Sequence, residues 1–124
     1  MKRISTGSPF EAEFAYSRAL VKGGWCFVAG VTGYDYRSMR MPDGAAEQAR
    51  ACFRTIEGVL GEAGFALPDL VRVTYILAAQ DVAARIAPVL REILGDIRPP
   101  STMYVAGLIR PEMRLEIEAT AFRG

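Results

Sequence analysis

Alternation of apolar and polar positions is cleanest near the C-terminal end of the chain. Met113, Leu115, Ile117, Ala119 and Ala121 fall on one face of an extended segment, with Arg114, Glu116, Glu118 and Thr120 on the other. Ahead of it, Thr102 to Leu108 is a strand-like run with no charge on either face. Between the two, Arg110-Pro111-Glu112 supplies a turn whose proline presets φ. Together these segments predict a β-hairpin. The uncharged strand further predicts a sheet covered, at least in part, on both sides. Glu116 and Glu118 then sit on a face where carboxylates are rarely left unpaired.

Upstream, Lys2 to Ser5 reads as a short strand, Gly7-Ser8-Pro9 as a loop, and Phe10 to Phe14 fits more than one element. Ala15 to Val21 and Trp25 to Thr32 flank Lys22-Gly23-Gly24, where glycine permits positive φ, so the pair predicts another hairpin. In its second strand Trp25, Phe27, Ala29 and Val31 point one way, and Cys26, Val28, Gly30 and Thr32 the other. Gly33 to Asp43 has no periodicity and reads as a surface loop, either a lid or a plain exposed connection. Asp43 is placed to cap a helix from about Gly44 to Glu62, in which Ala45, Ala49, Cys52, Phe53, Ile56 and Leu60 recur at helical spacing before Gly64 stops it. The β-branched run from Val71 to Leu77 predicts a central strand. Gln80-Asp81 opens a second helix with Val82, Ile86, Val89, Leu90 and Ile93 as its stripe, ended by Gly95.

This order, β-β-β-α-β-α-β-β, is that of an α+β domain spanning 1–124, with two amphipathic helices on one sheet face. Both faces of the Trp25–Thr32 and Thr102–Leu108 strands are poor in charge, and an apolar patch of that extent on the face the helices leave open marks an association surface. Composition narrows the partners. At 51% hydrophobic, 23% charged and net charge +1, the chain carries no electrostatic footprint for nucleic acid. No stretch approaches the roughly 20 apolar residues of a membrane span, and Met1 to Thr6 has no secretory pattern, so a cytoplasmic protein is expected. Cys26 and Cys52 fit strand and helix interiors as small hydrophobes. With no histidine, no Cys-x-x-Cys and no Gly-rich phosphate loop, neither a metal nor an organic cofactor is expected.

The run Pro99-Pro100, a short apolar strand, Ala106-Gly107-Leu108, a proline turn and Leu115-Glu116-Ile117-Glu118-Ala119 resembles the C-terminal signature of the YjgF/RidA superfamily of imine and enamine deaminases. The likeness extends to Tyr16-Ser17, Val28-Ala29-Gly30, a helix bearing Gln48 and Phe53, and Asp69-Leu70-Val71 leading into Val73-Thr74-Tyr75. It implies a chorismate-mutase-like fold: a mixed six-stranded sheet with two helices on one face, three subunits closing their sheets into a barrel, and small-molecule clefts between neighbours. Deaminases of this family hold the carboxylate of an imine through an arginine, while a glutamate and backbone amides place the attacking water. Carried over by position, Tyr16 is the pocket tyrosine, Gly30 the strand glycine, Met103 a lining residue beside Thr102, and Glu116 the water-positioning glutamate. Ser101 stands where the catalytic branch has its arginine, and Ala29 and Ile86 depart from that branch as well. Serine cannot reproduce the bidentate grip of guanidinium on carboxylate. In such a trimer Glu116 and Glu118 sit at subunit boundaries, where Arg18, Arg72 and Arg114 are candidate partners, and an inter-subunit ion pair is the plain alternative for Glu116. Tyr16, Gly30 and Met103 also have plain readings as an interface aromatic, a close-packing glycine and a core residue. Two functions stay open: hydrolysis of a reactive imine, enamine or related nitrogen compound, and non-catalytic small-molecule binding by a trimer.

Overall fold

Pairing begins with β1 (Lys2–Ile4), β2 (Ala19–Lys22) and β3 (Trp25–Val31), an antiparallel meander; the computed structural model describes residues 1–124. The ambiguous segment is a short helix, α1 (Pro9–Glu13). Ser8 Oγ accepts from Phe10 N at its start, and Pro9 occupies a position where a missing N–H costs nothing. Ala15 takes φ 56°, which turns the chain, so β2 starts at Ala19 and not at Ala15. Next come α2 (Ala45–Ala63), β4 (Leu70–Leu77), α3 (Val82–Leu94), β5 (Ser101–Val105) and β6 (Leu115–Phe122). The six strands form one mixed sheet, ordered β1-β2-β3-β6-β4-β5. α2 packs on β3 and β6, and α3 packs on α2. Between helices and sheet lie Cys52, Ile56, Leu60, Ile86, Val31, Val73, Leu115 and Ile117, each at most 1% exposed. Burying a side chain of this size contributes on the order of 1.5–3 kcal/mol.

The C-terminal hairpin is not formed. β6 lies between β3 and β4, antiparallel to both, while β5 runs parallel to β4 on the sheet edge. A parallel neighbour needs a crossover, and α3 supplies it between β4 and β5. The apolar face of β6 is better served at the centre of the sheet, over the helices, than on an edge. The run to Leu108 leaves the strand after Val105, with Ala106 N making a last bond to Leu77 O at 3.0 Å. β5 is exposed along its whole length, so its lack of charge does not reflect cover within the chain.

The expected faces of β3 fail at one place. Val28 pairs with Ala119 and Val31 with Ile117, leaving Ala29 and Gly30 opposite a single residue of β6. This bulge reverses the alternation, and Val31 joins Cys26 and Val28 in the core. The caps also differ from expectation. Gly44, not Asp43, precedes α2, and no side chain caps it. Asp81 makes no cap bond and instead pairs with Arg85 one turn on. Gly95 closes α3 in a right-handed conformation, and the positive φ falls on Arg98, at 52°. The Gly33–Asp43 loop is not simply a surface segment: Tyr34 and Tyr36 are 3% and 7% exposed and belong to the core.

Candidate functional site

The β3 bulge brings Gly30 under the side chain of Glu116 on β6. A Cβ at Gly30 would lie 2.7 Å from Glu116 Cδ and nearer still to Oε2, so a larger residue there would displace the carboxylate from this position. Glu116 is partly buried and forms no ion pair. Burial pushes its carboxyl above the ordinary value; the Arg18 charge pulls it back in part and Glu118 adds to the rise.

Arg18, immediately ahead of β2, is 0% exposed. Its Nη1 donates to Gly30 O at 2.6 Å, Nη2 to Tyr16 Oη at 3.2 Å and Nε to Thr6 Oγ1 at 3.3 Å. The guanidinium also lies over the Tyr36 ring, 4.4 Å from its centroid. Tyr36 Oη is held by Thr32, whose N–H donates at 3.0 Å and whose Oγ1 lies at 3.1 Å. Burial raises the Tyr36 hydroxyl, against the opposing pull of Arg18. Behind Glu116, Cys52 Sγ donates to Val31 O at 3.3 Å, and burial, with Glu116 adding to it, drives the thiol far up. Beside these groups lies a cavity of about 350 Å³ whose lining includes Tyr16, Gly30, Thr32, Tyr36 and Glu116, with Phe10, Phe14, Ile109 and Met113 as its apolar wall.

Of the residues singled out in the sequence, Tyr16, Gly30 and Glu116 meet in this cavity. Ser101, Thr102 and Met103 do not. They sit on exposed β5, opposite Val73, Thr74 and Tyr75 of β4, which separates them from β6 within one chain. Within one chain, Arg72 and Arg114 are exposed and pair with neither glutamate. Tyr36 was not legible, because a loop without periodicity hides which tyrosine turns inward; Thr32 was legible only as a strand residue on the face of Gly30. Gln48, fully buried, enters the sequence reading only through the family likeness. Its Nε2 donates to Pro42 O and Glu112 O, and its Oε1 accepts from Arg114 N at 2.8 Å, which fixes the turn leading into β6. Larger grooves of about 680 and 730 Å³ lie between the 33–42 loop and α2, and along α1 and β2; neither contains Glu116. No group of histidine, cysteine, aspartate and glutamate side chains could hold a metal ion. No helix is long and apolar enough to cross a membrane.

A family model described as Endoribonuclease L-PSP matches residues 6–123. The rat 2-iminobutanoate/2-iminopropanoate deaminase is 28% identical over 124 residues, covering 99% of this chain and 90% of the relative. A RutC family protein of Pyrococcus horikoshii is 28% identical over 109 residues, 87% of this chain and 86% of that protein. Among solved structures, a member of the YjgF/YER057c/UK114 family from Mycobacterium tuberculosis matches with a TM-score of 0.90 and 36% identity, covering 98% of each chain. The E. coli YjgF gene product matches at 20% identity with a TM-score of 0.88, covering 100% of both chains, a likeness of fold alone. With its sequence matched almost from end to end and its fold shared, the chain belongs to the Endoribonuclease L-PSP family, within the YjgF/RidA superfamily.

Proposed function

We propose that the chain hydrolyses a small reactive imine or enamine, and that it works as a homotrimer whose neighbours complete the Glu116 cavity. One observation carries this reading: a partly buried carboxylate with raised proton affinity, seated over Gly30 in a cavity with an apolar wall. Such a group is a better base for water than a solvated glutamate. In the proposed reaction Glu116 takes a proton from water as the water oxygen bonds to the imine carbon. That proton passes to the nitrogen and gives a carbinolamine. The hydroxyl proton then follows the same route, the carbon–nitrogen bond breaks, ammonia leaves, and a ketone remains. The name of the rat relative supports the reaction class.

The trimer is supported by the bare β5 edge, since a neighbouring chain covering it would bring Ser101, Thr102 and Met103 to a Glu116 cavity. Ser101 in the place of the family arginine supports a changed specificity, with weaker grip on the carboxylate of 2-iminopropanoate. Loss of one bidentate contact costs on the order of 1.5–3 kcal/mol, about ten- to hundredfold in affinity. The same serine favours a second reading, a trimer that binds small molecules without turning them over. The ribonuclease in the family's name draws no support from a net charge of +1 and a chain without histidine.

The test is an assay of 2-iminopropanoate generated in solution from alanine by an amino-acid oxidase. Wild type accelerates its hydrolysis and Glu116→Gln does not. Wild type that binds pyruvate yet leaves the imine's decay unchanged selects the binding reading.

A further inference from the structure

Arg18 is the bulkiest side chain wholly withdrawn from solvent in this molecule. A guanidinium out of water needs either a carboxylate or a set of other acceptors. Here no carboxylate lies within 4.0 Å of it, and its acceptors are Gly30 O, Tyr16 Oη and Thr6 Oγ1. Thr6 Oγ1 in turn donates to Glu11 Oε2 at 2.8 Å. The Arg18 backbone carbonyl accepts Ala29 N at 2.9 Å, which ties the residue to the bulge that holds Gly30. A ligand in the cavity cannot touch this cation, which lies behind the lining residues.

A phenol has one proton to give. Arg18 Nη2 already donates to Tyr16 Oη, and the Tyr16 hydroxyl has no acceptor for its own proton within the chain. Tyr36, over whose ring the guanidinium lies, has its hydroxyl engaged by both the N–H and the Oγ1 of Thr32. We propose that Arg18 is a positioning residue acting through Tyr16: by donating to the phenol oxygen it turns the Tyr16 O–H into the cavity, where it receives the carboxylate or carbonyl oxygen of a small 2-oxo or 2-imino acid. The class of ligand rests on the deaminase reading above; the role of Arg18 does not. Charge argues for the same orientation. The charged and titratable groups facing Glu116 are Arg18 ahead of β2, Glu118 on β6, Cys52 on α2, and Tyr16 and Tyr36 in the lining; only Arg18 is cationic. An anionic ligand group is therefore repelled from the Glu116 side and drawn to the Tyr16 side, which leaves Glu116 free to hold water.

The test uses pyruvate, the 2-oxo acid that hydrolysis of 2-iminopropanoate leaves, titrated calorimetrically into the full chain as wild type, Tyr16→Phe, Arg18→Gln and the double variant. In parallel, the Cζ resonance of Tyr16 is followed by NMR without ligand. Each single change should weaken pyruvate binding about tenfold, the worth of one hydrogen bond to a charged group. The double variant should bind no worse than Tyr16→Phe, because one contact is lost only once. The Tyr16 resonance should move in Arg18→Gln and move less in Arg18→Lys, which keeps the charge but not the fork. If Arg18→Gln does not fold, Arg18→Lys carries the same readouts, with an intermediate loss of binding. Losses that multiply in the double variant, or a Tyr16 resonance unmoved by either Arg18 change, overturn the proposal. A wild type that binds no pyruvate while the resonance moves as expected rejects the 2-oxo acid class and upholds the positioning role.

Discussion

At position 30 a single methyl group decides whether Glu116 can stay where it is. Gly30→Ala should force the carboxylate aside; because the atoms it meets end a flexible side chain, the cost is at most about 1–3 kcal/mol, the range of overpacking, read as a lowered urea midpoint at constant m. A midpoint equal to wild type would show that the glutamate has other room. The carboxylates also set opposite pH dependences. Glu116 binds its proton more tightly folded than unfolded, so its contribution to stability is full at acid pH and falls as pH rises from the ordinary value of 4.5 through the higher folded one. Burial opposes ionisation of Glu11 too, but hydrogen bonds from Thr6 N and Oγ1 outweigh it and lower the folded value. Its contribution is present above 4.5 and lost as pH falls through that lower value. Accordingly, Glu116→Gln should gain stability over wild type near neutrality and lose that gain in acid, while Glu11→Gln should lose stability near neutrality; denaturant melts at both pH values separate the two. Glu116 was legible through the likeness of Leu115-Glu116-Ile117-Glu118-Ala119 to the family signature and through an alternation that set it opposite the core face, although the uncharged strand that strengthened the reading is not its neighbour. The depth of Arg18 was not, since a cation next to a turn ordinarily reads as solvated.

Among the elements, Gln48 on α2 shows how one buried amide fixes two loops. It bonds Pro42 O, Glu112 O and Arg114 N, and Gln48→Ala strands all three backbone groups. Each stranded group costs about 1–3 kcal/mol, so the variant should lose about 2 kcal/mol or more in a urea melt. A loss near zero would mean that water replaces the amide. Periodicity made α2, α3, β4 and β6 readable as elements, because each presents one apolar stripe or face to the core. Pairing was less readable. Proximity along the chain suggested that β5 and β6 pair, whereas the α3 crossover commits β5 to β4 and the apolar face of β6 places it centrally. The bulge at Ala29 and Gly30 was invisible for a related reason: a strict two-residue period assigns faces without knowing where a strand slips.

For the whole molecule, the sheet face turned away from the helices is the open question. On it Trp25, Phe27, Tyr104 and Phe122 are each at least 40% exposed, with Trp25 stacked on Phe27 and tilted against Phe122. The exposed aromatics of that face were legible, but it is not as poor in charge as expected, because Arg72, Glu116 and Glu118 share it; what covers it was not legible, because composition says only that an apolar face seeks a partner. Light scattering should give three times 13.5 kDa, and Tyr104→Glu, which puts a charge on the exposed β5 edge, should give smaller species while the fold persists. A wild type of one chain's mass at every concentration would remove the neighbour from the proposed site. The most direct test of the account is the pH–rate profile of 2-iminopropanoate hydrolysis by wild type and Glu116→Gln. Wild type should gain activity with rising pH along one ionisation lying above 4.5, and Glu116→Gln should be flat and about a hundredfold slower or more, the share a positioned general base supplies. A Glu116→Gln variant as fast as wild type, with the same profile, would contradict the role given to this residue and the function built on it.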